Sequence, residues 1–430
     1  MWEELSDIEH SYEVREDFVG YKIKPLIVFY PKSEEDVVRI VKFAYTNKIP
    51  VVPFGKGTSV TGALYCENCI LVDLSKMNKI LEINEVDWYV RVQPGVNLGE
   101  LEKEVEKRGF LLPPDPASSF LCSVGGAIAT GAGGMRCVKY GSFKEWVLSL
   151  RVVLPNAHVV KVGEALKKNR AGYNLVELFV GSEGTLGIVT EAWLKIIPQD
   201  DERYVTILAY LQSVEEAGEA MIQLRKERVL PEIAEYIDEA VVNALNKHLD
   251  AKLKESEGGL IIITVKEREA KRVQKLFKNF EVIEEREKAS EVISKRALAA
   301  IALKEEANVL LAEDIVVPVS KLPDAIRLLR DLEQKYKRKI PVVAHIGDGN
   351  LHPNILSDTR EEAQEIFEEV ARIAINLGGS VSGEHGIGVQ KASLLHEQIA
   401  KSNGEELLII MKEIKKVIDP HDIMNPGKIF

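Results

Sequence analysis

Cysteine is scarce in this sequence: four in 430 residues, at Cys66, Cys69, Cys122 and Cys137. So few thiols exclude a disulfide-built scaffold and supply no ligand set for an iron–sulfur cluster. Basic excess is missing too. Acidic residues number 67 against 56 basic, a formal net charge of −11, which excludes nucleic acid as the main partner because phosphate binding needs a basic face. No apolar run approaches the ~18 residues of a membrane span. The opening Met1-Trp2-Glu3-Glu4-Leu5-Ser6-Asp7 is acidic and lacks the apolar core of a secretory signal. Internal repeats and low-complexity tracts are absent as well. What remains is an ordinary globular composition, expected to be cytoplasmic with reduced thiols. The Cys66-Glu-Asn-Cys69 spacing reads either as a redox or metal half-site or as a chance or disulfide-forming pair.

At 430 residues the chain is long for one core, and two or three domains are expected. Pro31 to about Pro198 reads as one α/β domain. Ser33-Glu-Glu-Asp36 resembles a capping box, and Val37, Ile40, Val41 and Ala44 follow at helical spacing. Pro50 to Phe54 and Cys69 to Asp73 read as strands, and Val147 to Val162 as a hairpin about Pro155-Asn156. After Pro198 the texture becomes charge-rich. Helices are expected at Val214 to Glu227 and Glu267 to Phe280, with a buried strand at Gly259 to Val265. The tail from Ile418 to Phe430 is loop-like yet apolar and should dock elsewhere on the fold.

Three glycine-rich loops stand in the first half. Pro53-Phe-Gly-Lys-Gly-Thr-Ser-Val-Thr-Gly62 lies between two strands. Gly55, Gly57 and Gly62 let backbone approach a ligand, and Thr58 and Ser59 add hydroxyl donors beside Lys56. Such a turn forms an anion nest suited to pyrophosphate; a purely structural glycine loop would contain the same residues. It matches neither the phosphate loop of nucleotide triphosphatases nor the Rossmann fingerprint. The second loop, Ser123 to Gly134, and the third, Gly181 to Thr190, change the balance. Three loops in one domain suggest an extended ligand wrapped by backbone, and a dinucleotide fits better than a mononucleotide.

The second half holds His345-Ile-Gly-Asp-Gly-Asn-Leu-His352-Pro-Asn354 and Ser382-Gly-Glu384-His385-Gly386. Three of the chain's eight histidines sit in these two glycine-rich turns. Two histidines and a carboxylate are a familiar ligand set for a catalytic zinc or similar ion with positions left open. His385, next to the carboxylate, can face a substrate.

Taken together, Pro-Phe-Gly-x-Gly-Thr-Ser, Ser-Val-Gly-Gly and Gly-Ser-Glu-Gly-Thr-Leu-Gly resemble the flavin domain of vanillyl-alcohol-oxidase-type flavoproteins. Within that group the chain is similar to the D-lactate dehydrogenase, glycolate oxidase D subunit and D-2-hydroxyglutarate dehydrogenase branch, over nearly all of its length. The resemblance implies an α+β protein. A two-part FAD-binding domain of the vanillyl-alcohol-oxidase type would span 1–200 and an α+β substrate (cap) domain with an antiparallel sheet 201–410. Residues 411–430 would return to the FAD domain. It implies that Pro53, Gly55, Lys56, Gly57, Thr58, Ser59 and Gly62 hold the FAD pyrophosphate. Asp115, Ser123, Val124, Gly126, Gly131 and Gly134, with Glu183, Gly187 and Ile188, would contact the adenosine and isoalloxazine parts. No histidine in the first loop corresponds to a covalent tether, so non-covalent FAD is expected. Gly131 stands where many relatives carry Asn, which removes a side-chain contact there.

The resemblance also implies a divalent metal, zinc with manganese or iron as alternatives, held by His345, His352 and Glu384, with His385 as general base. Arg296, in Ile293-Ser-Lys-Arg-Ala297, resembles the family's substrate arginine, though a solvated helix arginine would read the same; Asn354 resembles a substrate-contacting amide. Ala312 replaces a Lys of D-2-hydroxyglutarate-specific relatives, which favours lactate or glycolate. The expected activity is hydride transfer from a small 2-hydroxy acid to flavin N5. Electrons would leave to an external acceptor or an iron–sulfur or electron-transfer protein, either in a free enzyme or in the FAD subunit of a multi-subunit glycolate oxidase. Peripheral membrane attachment through a partner and a homodimer are both compatible with this reading. An alkylglycerone-phosphate synthase-like, non-redox enzyme on the same fold is the alternative from another class; Glu384-His385 argues against it, as do the metal and base motifs against a non-catalytic flavin scaffold.

Overall fold

The computed structural model describes residues 2–430. The fold is α+β and divides into two compact units. One comprises Met1–Gly134, Gly141–Gln199 and Glu384–Phe430; the other comprises Met135–Tyr140 and Asp200–Gly383.

The first unit has two parts. In the first, strands Ile27–Phe29, Ile70–Asp73 and Val51–Phe54 run parallel, with His10–Ser11 antiparallel at the edge. The helix Glu34–Asn47 crosses over between the first and last of these. Ser33 accepts from Asp36 N–H while Asp36 accepts in return, the reciprocal cap expected from the sequence. Val37, Ile40, Val41 and Ala44 are fully buried, each larger side chain contributing about 1.5–3 kcal/mol. The second part is an antiparallel sheet in the order Val159–Gly163, Val147–Val153, Ile188–Lys195, Tyr89–Val92 and Ile80–Asn84. Its hairpin turns where expected, with Val153 opposite Val159 and Ala157 in the left-handed region at φ 64°.

Two local outcomes differ from expectation. The Ser123–Gly134 stretch is not wholly loop: Val124–Thr130 forms a helix whose Val124, Ala127 and Ile128 join the core of the antiparallel part. Gly-Gly-Ala composition hides this helix, but Ser123 caps it and burial of one face stabilises it. Cys66 and Cys69 are joined in a disulfide with Cα atoms 6.2 Å apart, the disulfide-forming option where reduced thiols were expected.

The tail completes the parallel sheet. Val51 N–H donates to Ile423 O at 2.7 Å and Asn425 N–H to Val51 O at 2.8 Å. Ile423 and Met424 are buried in the same core. The chain already rejoins this unit at Glu384, earlier than the boundary near 410 drawn from sequence. The cause is local: Glu183 accepts from Ile387 N–H at 2.6 Å and Gly388 N–H at 2.8 Å.

The second unit is built on one antiparallel sheet. Its order is Phe280–Ile283, Tyr204–Tyr210, Leu260–Lys266, Ile233–Ile237, Val342–His345, Asn350–Ser357 and Val309–Ala312, with Ile315–Val316 also on Asn350–Ser357. The helix Glu215–Lys226 lies where charge-rich periodicity places it. The helix expected to run to Phe280 stops at Gln274, because Phe280–Ile283 pairs with Tyr204–Tyr210 at the sheet edge. Among the described residues no helix is long and apolar enough to cross a membrane.

Candidate active site

In the first unit the three glycine loops converge backbone to backbone. A Cβ on Gly55 would lie 2.5 Å from Ser123 Oγ and 3.8 Å from Gly126 Cα, so the first loop runs along the opening turn of the Val124–Thr130 helix. A Cβ on Gly131 would lie 3.4 Å from Gly181 Cα, and one on Gly184 2.4 Å from Pro53 Cγ. Gly57, Gly62 and Gly131 have φ of +73°, +70° and +69°, which L side chains rarely adopt. The cradle therefore presents backbone amides, with Thr58 and Ser59 half-buried and Lys56 exposed at its edge. Closely packed glycine loops of this kind suit a dinucleotide such as FAD, whose pyrophosphate accepts from backbone amides.

Other expected flavin residues play backbone or packing roles. Ser123 Oγ accepts from Gly126 N–H at 3.3 Å. A Cβ on Gly134 would collide with Asp115 O at 2.2 Å, which fixes Asp115 against the loop's end. Val124 and Ile188 are fully buried in core clusters, and a Cβ on Gly187 would lie 2.8 Å from Val153 O. Glu183 has φ 51°, and its carboxylate accepts from the Ile387 and Gly388 amides. Burial pushes its pKa up; the Ile387 and Gly388 amides and the charge of Lys428 oppose this. Burial also lowers the Lys428 ammonium to about 8.

In the second unit, adjacent antiparallel strands carry the two histidines. His345 ends Val342–His345, and His352 stands opposite Val343 on Asn350–Ser357. Their rings are 5.2 Å apart and nearly perpendicular, at 88°. The Asp348-Gly349 turn folds the chain back, as the spacing requires. His345 Nδ1 is 2.7 Å from Glu235 Oε1, and Glu235 Oε2 is 2.7 Å from Arg296 Nε. Exposure of Glu235, His345 and Arg296 is 0%, 3% and 7%. Arg296 is therefore a buried partner of Glu235 and His345 and not a solvated helix residue. Its Nη2 lies 3.5 and 3.4 Å from the two His345 nitrogens; near-equal distances put it against the ring face, off both lone-pair directions.

Asp314, fully buried, organises the other side. Its carboxylate accepts from Asn350 Nδ2 at 2.7 Å, Ser382 Oγ at 2.8 Å and Gly383 N–H at 2.8 Å, and lies 3.8 Å from His352 Nδ1. Asn354 Nδ2 donates to His352 O at 2.9 Å and Pro341 O at 3.3 Å, so its amide nitrogen is committed to backbone. Glu384 and His385 follow Gly383 directly in the chain. Glu384 Oε1 lies 3.8 Å from His385 Nε2, both side chains half-buried. Glu235 and Asp314 were not singled out from sequence. A signal existed: Glu235 is an acidic residue inside the apolar strand Ile233-Ala-Glu-Tyr-Ile237, and Asp314 directly precedes the apolar run Ile315-Val-Val317, where an unpartnered charge would be costly.

Comparisons with known proteins agree with this geometry. An FAD binding domain family matches residues 25–163, and the family described as FAD linked oxidases, C-terminal domain, matches 201–429. Glycolate oxidase subunit GlcD of Bacillus subtilis is 34% identical, covering 95% of this chain and 90% of that one. D-lactate dehydrogenase of Anaerostipes hadrus is 35% identical, covering 97% and 93%. Among solved structures, 4-ethylphenol oxidase from Gulosibacter chungangensis superposes with a TM-score of 0.73 at 20% identity, covering 94% and 89%. An alkyldihydroxyacetonephosphate synthase superposes with a TM-score of 0.71 at 22%, covering 95% and 78%. At those identities the likeness is one of fold alone. The glycine cradle, the two-part first unit and both family matches make this chain a member of the FAD-linked oxidase and dehydrogenase family, an FAD-dependent oxidoreductase.

Proposed function

We propose that this enzyme oxidises a small 2-hydroxy acid, D-lactate or glycolate, to the 2-oxo acid with metal assistance. The observation that carries the reading is the buried pair His345 and His352 on neighbouring strands, with His345 Nδ1 against Glu235. A carboxylate at Nδ1 selects the tautomer that leaves Nε2 as a metal-binding nitrogen. The proposed ligands are His345, His352 and Glu384, an N,N,O set that suits zinc, with manganese or iron as alternatives. Bound FAD supplies the hydride acceptor, and a bound cation supplies a Lewis acid for the substrate oxygens.

The chain's own residues supply positioning and proton transfer. An imidazole nitrogen of His385 takes the hydroxyl proton, the general-base work for which histidine is the commonest side chain. Arg296 brings positive charge for the substrate carboxylate to the face of His345. Asn354 ties His352's backbone in place; any contact to substrate is through its Oδ1. Ala312 is the register partner of Asn354, and this small apolar residue supports a monocarboxylate over a dicarboxylate.

The test is anaerobic mixing of FAD- and metal-replete protein with D-lactate, L-lactate, glycolate and D-2-hydroxyglutarate. Flavin bleaching by D-lactate or glycolate supports the reading. Bleaching by D-2-hydroxyglutarate alone overturns the substrate assignment, and bleaching by none overturns the reaction. A second reading, the FAD subunit of a larger oxidase, is favoured by the relative named as a subunit and by the absence of a cysteine set for iron–sulfur binding. It predicts flavin reduction by substrate but turnover with artificial acceptors only until a partner is added.

A further inference from the structure

Between strand Val159–Gly163 and helix Val176–Phe179 the chain makes a run of ten consecutive exposed residues, 166–175, without regular structure. Its apolar side chains are not tucked in: Leu166 is 59% exposed, Tyr173 93% and Leu175 44%. The run's hydrogen bonds are local. Leu166 N–H donates to Glu164 O, Ala171 N–H to Asn169 Oδ1, Leu175 N–H to Tyr173 O and Asn174 Nδ2 to Glu177 Oε1. Its backbone is thus tied to near neighbours in the chain, while its apolar side chains stay in solvent.

Interleaved with the apolar residues are Lys167, Lys168 and Arg170. The two flanking carboxylates are already used, Glu164 by Lys161 and Glu177 by Lys144. The positive field reaches beyond the loop: Lys195, over the Trp146 ring at 4.2 Å, is held below the ordinary lysine range by burial and then by the charge of Lys167. On a chain of net charge −11 this is a local excess of the opposite sign.

We propose that the 166–175 loop is a docking element for an anionic lipid surface, with Leu166, Tyr173 and Leu175 entering the headgroup boundary and Lys167, Lys168 and Arg170 pairing with lipid phosphates. Basic residues alternating with apolar and aromatic ones are the composition that binds there. A protein partner is the weaker fit, since stable protein interfaces bury roughly 800 Å² per side on shaped surfaces, and a ten-residue irregular loop offers neither area nor fixed relief. The inference is independent of the substrate and of the metal.

The experiment is cosedimentation of the FAD-loaded full chain with phosphatidylcholine vesicles and with vesicles in which roughly one lipid in three is phosphatidylglycerol. The expected result is pelleting with the anionic vesicles only, weakened by salt. Replacing Lys167, Lys168 and Arg170 together by Gln should lower partitioning by on the order of 100-fold, at about tenfold or less per charge. Replacing Leu166 and Tyr173 by Ser should weaken binding while leaving its salt dependence. Flavin absorbance and circular dichroism establish that each variant is folded. Wild-type protein that stays in the supernatant with anionic vesicles overturns the proposal. So does unchanged pelleting of the Gln variant, or a loop that captures an acidic protein and no lipid.

Discussion

Glu235 Oε1 lies 2.7 Å from His345 Nδ1, and the opposite oxygen of the same carboxylate lies 2.7 Å from Arg296 Nε. One fully buried acid thus orients a proposed metal ligand and neutralises a buried guanidinium. Glu235→Gln should lower metal affinity about 10–100-fold and destabilise the fold by roughly 3–5 kcal/mol, because Arg296 is left buried without its counter-charge. Glu235→Gln combined with Arg296→Met should recover much of the stability but not the metal affinity. Calorimetric metal titration and urea unfolding of the three proteins separate the two effects; metal affinity restored in the double variant would refute an orienting role for Glu235.

Asp314 holds Ser382 and Gly383 through one carboxylate oxygen, immediately before Glu384 and His385. Asp314→Asn sets an amide where a carboxylate accepts three donors. The expected cost is about 1–3 kcal/mol, with a fall in flavin-reduction rate larger than the fall in substrate affinity, since misaligned groups act on the reacting geometry. Stopped-flow reduction across substrate concentrations reads both; a change confined to affinity would count against this.

Much of this arrangement was legible from sequence where the signal was local. The Ser33–Asp36 cap, the hairpin joining Val153 to Val159 and the strand at Leu260–Lys266 each follow from residues within one element. A single glycine loop would read equally well as structural; three of them in one domain pointed to a ligand cradle. What sequence did not show depends on register between distant strands. Nothing near Glu235 points to His345; they meet because Ile233–Ile237 pairs with Val342–His345, with Tyr236 opposite Ala344. Helix Val124–Thr130 was masked by its small residues, and the strand Phe280–Ile283 was absorbed into the preceding helical period. Arg296 read equally well as substrate ligand or surface residue, and its burial excludes the surface reading.

The tail should be a stability element as well as a strap. Glu183 receives Ile387 and Gly388 amides on separate oxygens, and Asn425 Nδ2 donates to Glu183 O at 2.7 Å and Ala63 O at 2.9 Å. Asn425→Ala should cost roughly 1–3 kcal/mol and weaken FAD retention, because it frees one carbonyl in the third glycine loop and one directly after the first. Gel filtration followed by flavin absorbance checks this; full FAD occupancy would separate the tail from the cradle.

Lys428 gives a pH signature. Burial depresses its folded pKa from the ordinary lysine value of 10.5 to about 8. A depressed lysine favours the folded state when neutral, so its stabilising contribution is present above 10.5 and is lost as pH falls through about 8. Wild type should therefore gain stability relative to Lys428→Met as pH rises from about 8 towards about 10. Parallel urea titrations at the two pH values would show the midpoint difference narrowing or reversing; a constant difference contradicts a burial that disfavours the charged form of Lys428.

The central claim is that flavin reduction by a 2-hydroxy acid depends on a cation held by His345, His352 and Glu384. The most direct measurement is the anaerobic rate of flavin reduction by D-lactate or glycolate in purified protein, before chelation, after chelation and after refilling with zinc. The account predicts loss of reduction with the flavin still bound, recovery on refilling, and no recovery in Glu384→Gln. An unchanged rate after the metal has been shown to leave would contradict it.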